Sequence, residues 1–280
     1  MRVLITGAGG QLGTDLQLAF ASDEVVALSR AELDLADRDQ VLGAICSVSP
    51  DIVVNAGAWT AVDDCESDPD RAFAVNALGP RWVADAARRV DAHVVHISTD
   101  YVFDGEKVDP YVEWDTPNPR SVYGRSKLGG ELELAGSGHT IVRTAWVVGE
   151  HGNNMLKTVL RLIESHPSLS FVDDQRGCPT FTDDLALMIR RLAAGRMPGV
   201  FHVTNQGAVS WYEFVREVLI AAGESPDRVQ PIATHELDPP RPAPRPANSV
   251  LDNAALRLSG VELLPDFRER LGEVVERLRG

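Results

Sequence analysis

The stretch Arg2-Val-Leu-Ile-Thr-Gly-Ala-Gly-Gly-Gln-Leu-Gly13 decides the fold of this chain. It opens with a short β-branched and apolar run that predicts a buried strand, and the seven residues after Gly13 have helical spacing. Strand, glycine turn and helix in this order are typical of a unit that binds a dinucleotide. Gly7 would allow the tight turn, Gly10 a close approach to a pyrophosphate, and Gly13 close packing of the helix on the strand. The N-terminus of the helix would offer its free amides to the phosphates.

Strand and helix patterns alternate through the rest of the first half. Further strands are predicted at 24–29, 51–57, 93–98 and 139–144, and helices at 36–48 and from 68 or 69 to 90. The nearly continuous apolar strands indicate a parallel sheet that is covered on both faces. The sequence therefore predicts an α/β fold, built as a Rossmann-type doubly wound parallel sheet.

The pattern becomes less regular after residue 148. Helices are predicted at 153–164, 183–194, 210–222 and 266–279, with strands at 169–172 and 200–204, a polar loop at 173–180 and an irregular proline-rich run at 239–246. We interpret residues 1–148 as a dinucleotide-binding domain. Residues 149–280 are interpreted as a smaller mixed α/β substrate-binding lobe, with some segments that return to the main sheet.

Composition narrows the class of partner. The 280 residues are 44% hydrophobic and 24% charged, with a net charge of −14, and this acidity argues against a nucleic acid or an anionic membrane as partner. The chain opens directly into a strand, so a signal peptide is not expected. Cys46, Cys65 and Cys178 are scattered and read as reduced thiols. We expect a cytoplasmic protein that is a monomer or a homodimer.

The ends of the next two strands predict how the cofactor is held. Ser29-Arg30 lies at the tip of the second strand, where an arginine suits the 2′-phosphate of NADPH; nearby acidic residues keep NADH possible, and Arg30 could instead be a plain solvated loop charge. Asp34 and Leu35 would grip the adenine. The small residues Ala56, Gly57 and Ala58 end the third strand, where a cofactor can lie close.

Two further segments carry chemistry. Tyr123 and Lys127 are four residues apart, after a predicted Ser121 cap, so they lie on one helix face, where the ammonium would lower the pKa of the phenol. Such a phenol can exchange a proton with a carbonyl or carbinol oxygen. The run Ser98-Thr99-Asp100 follows a strand, at the sheet edge where hydroxyls can meet a substrate oxygen. The alternatives are a solvated helix face and a turn that satisfies its own backbone.

Taken together, the glycine turn, Ser98-Thr99-Asp100 and Tyr123-x-x-x-Lys127 resemble an extended short-chain dehydrogenase/reductase. More narrowly, five segments resemble the dTDP-4-dehydrorhamnose reductase family: 55–63, 98–105, 123–131, 143–146 and 174–180. The resemblance implies reduction of the 4-keto group of dTDP-4-dehydro-6-deoxy-L-mannose to dTDP-L-rhamnose, with NADPH or NADH.

The resemblance also implies roles for individual residues. Tyr123 would give a proton to the C4 oxygen, Lys127 would hold the nicotinamide ribose, and Thr99 would hydrogen-bond the carbonyl oxygen. The residues that would contact the sugar nucleotide are Thr99, Asp100, Tyr101 and Trp146. Those that would contact the cofactor are Gly10, Gln11 and Leu12 at the pyrophosphate and Ala56, Gly57 and Ala58 along its length.

Some expectations stay open. Some family members form dimers through magnesium, and Asp15 and Asp183 fall at two such positions; both are equally explained as first-turn helix carboxylates, no third ligand is evident, and we do not expect a metal. A sugar-nucleotide epimerase or dehydratase is the enzymatic alternative, although Asp100 is followed by Tyr101 where a dehydratase needs Glu. A non-catalytic regulatory relative is the other alternative, which the intact set of Thr99, Tyr123 and Lys127 argues against.

Overall fold

The computed structural model describes residues 1–280. Its strands are β1 (Arg2–Thr6), β2 (Glu24–Leu28), β3 (Ile52–Asn55), β4 (His93–Thr99), β5 (Thr140–Thr144), β6 (Val147–Val148), β7 (Leu169–Val172), β8 (Arg176–Gly177), β9 (Thr180–Phe181), β10 (Gly199–His202), β11 (Val209–Ser210) and β12 (Val229–Ile232). Its α-helices are α1 (Gln11–Ala19), α2 (Arg38–Val48), α3 (Val62–Ser67), α4 (Pro69–Phe73), α5 (Gly79–Arg89), α6 (Val122–Leu134), α7 (Met155–Ser165), α8 (Thr182–Ala194), α9 (Trp211–Ala221), α10 (Ala254–Leu258) and α11 (Phe267–Arg279).

Six strands form one parallel sheet, in the order β10-β5-β4-β3-β1-β2. Because every strand runs in the same direction, all their carboxyl ends lie along one edge. The chain passes from β1 to β2 on one side and then to β3 on the other, so the strand order reverses between β1 and β3. In such sheets the ligand crevice opens outside the carboxyl ends at this switch point.

Alternate side chains of the strands enter two different cores. Val3 and Ile5 pack with α1 and α8 on one face of the sheet, whereas Leu4 packs with α2 and α5 on the other. Both faces are covered, which explains the unbroken apolar character of the strands. The predicted doubly wound α/β fold is confirmed.

The smaller lobe has a core of its own. The helices α7, α9 and α11 pack around Phe214 and Phe267, which are fully buried, together with the parallel pair β7 and β12. Of two further pairs, β6 with β9 joins the segment that follows β5 to the segment that precedes α8, and β8 with β11 joins two segments within residues 149–280. The strand β10 belongs to the main sheet although it follows α7 and α8 in the chain.

The predicted helix that ends at residue 90 is interrupted. Between α4 and α5, residues Ala74–Leu78 form a π-helical turn in which the Gly79 amide donates to the Ala74 carbonyl, five residues back. Pro80 has no amide with which to bond the carbonyl of Asn76, so the ordinary helical ladder cannot continue there. The predicted loop 173–180 also differs, since it contains β8 and the start of β9. No helix of this fold is both long enough and apolar enough to span a membrane.

Candidate active site

The three glycines of the turn between β1 and α1 are needed for two different reasons. A Cβ on Gly7, whose φ is +69°, would lie 2.7 Å from the Cα of Gly57, and one on Gly13 would lie 2.8 Å from the Cα of Ala8. These two positions therefore admit no side chain. A Cβ on Gly10 would meet only the carbonyl oxygen of Gly7, at 3.2 Å, and Gly10 faces the open crevice. With the amide end of α1 beside it, this turn fits a dinucleotide pyrophosphate.

One cavity of about 890 Å³ follows the carboxyl edge of the sheet from the end of β2 to the smaller lobe. Every residue that the sequence analysis assigned to cofactor binding, sugar-nucleotide binding or proton transfer lines it. The cavity also receives Trp59, Arg71 and Trp211, which the sequence analysis missed. Its size and position suit a dinucleotide with a second ligand at one end.

At the end of β2, a carboxylate already occupies the donors that face the crevice. Both the amide and the hydroxyl of Ser29 donate to Oε2 of Glu32, at 2.8 and 2.7 Å. The Ser29 amide bond in particular holds the pKa of Glu32 below its usual value. Arg30 is exposed next to this pair. A phosphate bound here would therefore meet one cation and one competing anion.

Tyr123 and Lys127 lie on the first two turns of α6. The Ser121 hydroxyl oxygen caps this helix by accepting the amide of Gly124 at 3.0 Å, as predicted. Thr99 ends β4, and its hydroxyl donates to Oδ1 of Asp100 at 2.8 Å while accepting the amide of Tyr101 at 3.2 Å. The parallel sheet and the helix thus bring the three predicted catalytic side chains to one end of the cavity.

Burial is the largest influence on the pKa values of Tyr123 and Lys127. It raises the pKa of the Tyr123 phenol well above its usual value, and a hydrogen bond with Thr99 opposes the shift. It lowers the pKa of Lys127 to about 8, against the effect of Glu131. The Lys127 ammonium donates to the carbonyl of Ile97 at 2.5 Å. The net shift of the phenol pKa is therefore opposite to the predicted one, because burial outweighs the neighbouring charge, and Tyr123 keeps its proton at neutral pH.

Asp100 is an unusual acceptor. It is 2% exposed, and burial raises its pKa to about 6. One carboxyl oxygen, Oδ1, accepts the Thr99 hydroxyl, but Oδ2 is buried without a hydrogen-bond partner, since the nearby Ser249 hydroxyl, which opposes the rise in the pKa of Asp100, donates to the Arg176 carbonyl. An unpaired buried oxygen is costly unless a ligand supplies a donor. A sugar hydroxyl is a group that would satisfy it.

Trp146 bounds the smaller-lobe end of the cavity. Its backbone has a φ of +45°, and its ring stacks on Trp211 with centroids 3.5 Å apart and planes 3° from parallel. Trp211 begins α9, more than sixty residues away in sequence, so periodicity gave no signal for this contact.

The loop after β3 is held by the π-helical turn. Trp59 donates its amide to Oδ1 of Asn76 at 2.8 Å and accepts from Nδ2 of the same side chain at 3.0 Å. Nδ2 of Asn76 also donates to the hydroxyl of Ser126 in α6. Arg71 places its guanidinium 4.5 Å from the centre of the Trp59 ring. One amide side chain thus fixes this wall of the cavity to the helix that carries Tyr123 and Lys127.

The two aspartates considered for magnesium are engaged otherwise. Asp183 accepts Nη2 of Arg270 at 2.7 Å and lies 3.6 Å from Nη2 of Arg277. Asp15 lies 3.6 Å from Nε2 of His151. The structure has no group of three or more His, Cys, Asp or Glu side chains that could hold a metal ion. With arginine on Asp183, the residues present do not fit a magnesium site.

Comparisons with known proteins agree with this geometry. The sequence matches the family model described as RmlD substrate binding domain over residues 1–279. It is 40% identical over 288 residues to a dTDP-4-dehydrorhamnose reductase of Sinorhizobium fredii, covering 98% of this chain and 97% of that protein.

Two solved structures are also similar. A dTDP-4-dehydrorhamnose reductase of Clostridium acetobutylicum is 41% identical, with a TM-score of 0.96 and all of both chains covered. The enzyme of the same name from Bacillus anthracis, solved in complex with NADP, is 37% identical, with a TM-score of 0.93 and 99% of each chain covered.

Proposed function

We propose that this chain, which belongs to the RmlD substrate binding domain family, is an NADPH-dependent dTDP-4-dehydrorhamnose reductase. It reduces the 4-keto group of dTDP-4-dehydro-6-deoxy-L-mannose and releases dTDP-L-rhamnose. The observation that carries the proposal is the meeting of Thr99, Tyr123 and Lys127 at one end of a cavity whose other end has a dinucleotide turn. NADH is the alternative electron donor.

The reaction adds one hydride and one proton to a carbonyl. When bound, the reduced nicotinamide supplies the hydride to C4 of the sugar. Tyr123 gives its proton to the C4 oxygen, and its raised pKa keeps that proton in place until charge develops on the oxygen. The phenolate that remains regains a proton from solvent before the next turnover.

Lys127 and Thr99 stabilise the charges that form. The Lys127 ammonium lies one helical turn after Tyr123 and favours the phenolate when the proton has left. Thr99 polarises the carbonyl oxygen with its hydroxyl. That hydroxyl donates to Asp100 in this structure, so it must turn from Asp100 to the sugar oxygen for this role.

The two lobes divide the ligands in this proposal. Residues 1–148 carry the cofactor and the reacting groups, and residues 149–280 contact the dTDP-sugar, apart from α8, β10 and α10, which support the main sheet. Asp100, Tyr101 and Trp146 contact the sugar nucleotide. We place the protein in the cytoplasm, in line with its three free thiols, as a monomer or a homodimer.

The test is a direct assay. Purified protein is mixed with NADPH and dTDP-4-dehydro-6-deoxy-L-mannose, and the nicotinamide absorbance band is followed with chromatography of the product. We expect loss of the band in a one-to-one ratio with appearance of dTDP-L-rhamnose. No loss from a folded protein that binds NADPH would contradict the proposal, and would indicate an epimerase that returns its hydride or a regulatory relative.

A further inference from the structure

The Trp146 backbone adopts a conformation that a tryptophan does not hold by itself. Its φ of +45° lies in the left-handed region, which large side chains rarely enter. Such a conformation persists only where the surroundings fix it. Trp146 follows β5 by two residues, and its carbonyl accepts the amide of Thr180 at 3.1 Å. One backbone bond leaves the ring orientation undetermined, so side-chain contacts must supply the rest.

Trp146 packs against two apolar clusters, and two further contacts orient its indole. One face lies flat on the Trp211 ring, with centroids 3.5 Å apart and planes at 3°. The edge of the indole occupies the space above Gly177, where a Cβ would lie 2.5 Å from Nε1 of Trp146. The ring is therefore held by a flat aromatic surface and a position that tolerates only glycine.

Trp211 is itself rigidly placed. It is the first residue of α9, after a Ser210 cap that forms a reciprocal capping box with Glu213. The ring of Trp211 meets the fully buried Phe214 edge-on, with centroids 6.0 Å apart at 73°, and Phe214 packs on Phe267 in the core of the smaller lobe. A continuous aromatic row thus runs from that core to the cavity, which both tryptophans line.

We propose that Trp211 is a positioning residue for sugar recognition: it holds Trp146 in its left-handed conformation so that the Trp146 indole forms the wall against which the sugar ring lies. The inference rests on the proposed function. It adds to that function that a contact between two tryptophans of different elements sets the orientation of the sugar. Because the Trp146 indole has a fixed orientation, a sugar ring that lies against it is held in one orientation too. That orientation decides which face of the sugar C4 receives the hydride.

The test compares Trp211→Phe, Trp211→Ala and a control, Trp114→Ala, in the full chain. Trp114 is 67% exposed and does not line the cavity. We expect Trp211→Ala to raise KM for the dTDP-sugar and lower kcat, with a combined loss in kcat/KM of roughly tenfold to a hundredfold, at unchanged KM for NADPH. Trp211→Phe keeps a flat ring against Trp146 and should restore most of kcat/KM. Trp114→Ala should behave as the unaltered protein.

Circular dichroism distinguishes the loss of the stacked pair of tryptophans from a general loss of structure. Stacked indoles give an exciton couplet in far-ultraviolet circular dichroism, and we expect it in the unaltered protein and in Trp114→Ala but not in either Trp211 variant. Loss of the couplet in Trp211→Ala with unchanged kcat and KM would overturn the positioning role. If Trp211→Ala does not fold, Trp211→Phe is compared with Trp211→Leu, which lacks a flat ring. An equal loss of kcat/KM in these two variants would also overturn the positioning role. Absence of turnover in the unaltered protein would instead count against the proposed function.

Discussion

The guanidinium of Arg245 forms a bidentate ion pair with the carboxylate of Asp63: Nη1 donates to Oδ1 at 2.5 Å and Nη2 donates to Oδ2 at 2.8 Å. This pair joins the proline-rich run 239–246 to α3, across most of the chain. Arg245 holds the pKa of Asp63 below its usual value. It also lies beside Tyr101, whose ring meets that of Tyr123 edge-on at 5.6 Å. The irregular segment is thereby tied to the reacting end of the cavity.

Replacing Arg245 by methionine should release this segment. The Arg245 side chain is 16% exposed and that of Asp63 25%, so we expect a loss of unfolding free energy of roughly 2 kcal/mol and a higher KM for the dTDP-sugar. Urea denaturation and steady-state kinetics measure the two effects. Arg241→Met is the matched control, because Arg241 is 59% exposed and reaches Asp63 only at 3.7 Å. Equal behaviour of the two variants would show that the bidentate pair has no special role.

Tyr123→Phe removes the proton donor and little else. We expect turnover to fall by a factor on the order of 10² to 10⁴, with an NADPH dissociation constant close to that of the unaltered protein. Kinetics and fluorescence titration of NADPH provide the two numbers. If the variant keeps a substantial part of its turnover, the proton-donor role belongs to another group.

Lys127→Met should stabilise the ligand-free protein while it abolishes activity. Folding lowers the pKa of Lys127 from 10.5 to about 8, so below pH 8 the fold bears the whole cost of a buried ammonium, about 3 kcal/mol. As the pH rises from 8 towards 10.5, the folded protein loses this proton before the unfolded chain does, and the cost disappears. Thermal unfolding at pH 7 and pH 10 should show a gap between variant and unaltered protein that narrows at the higher pH. If the difference in thermal stability between the two proteins does not depend on pH, burial does not lower the pKa of Lys127.

The end of β2 should set the preference between the two cofactors. Because the Glu32 carboxylate occupies both donors of Ser29, a 2′-phosphate must displace it. Glu32→Gln should therefore lower KM for NADPH more than KM for NADH, whereas Arg30→Ala should raise KM for NADPH more than KM for NADH. The two substitutions thus move the ratio of the two kcat/KM values in opposite directions. Parallel changes for both cofactors would place the 2′-phosphate elsewhere.

Chelation should not change the rate. Arg270 already pairs with Asp183, and Arg277 pairs with the neighbouring carboxylate of Glu150, so neither carboxylate is free for magnesium. We expect equal kcat and KM in EDTA and in added magnesium, and an equal sedimentation coefficient in both. A rate or a mass that depends on magnesium would show that the metal displaces Arg270 from Asp183.

The sequence predicted those parts of the site that depend on short spacing. Gly7, Gly10 and Gly13 fall within one turn, and Tyr123 and Lys127 within one helical face, so local geometry alone brings them together. Thr99 could be placed because parallel strands end at a common edge.

Contacts between distant elements gave no comparable signal. Trp211 and Arg245 reach the cavity region from α9 and from a segment without regular structure, and their side chains could belong to any surface of the smaller lobe. The pKa of Tyr123 was predicted in the wrong direction because spacing indicates a neighbouring charge but not the depth of burial, which here is the larger effect.

The place of β10 in the main sheet has a consequence for biosynthesis. Until residues 199–202 have left the ribosome, β5 is the outermost strand, and its five buried residues present an unpaired edge to other chains. A fragment that stops at residue 148 would keep this edge permanently and should aggregate. The nascent polypeptide therefore keeps an unpaired strand edge for some fifty residues of synthesis after residue 148, an interval in which a chaperone has most to protect.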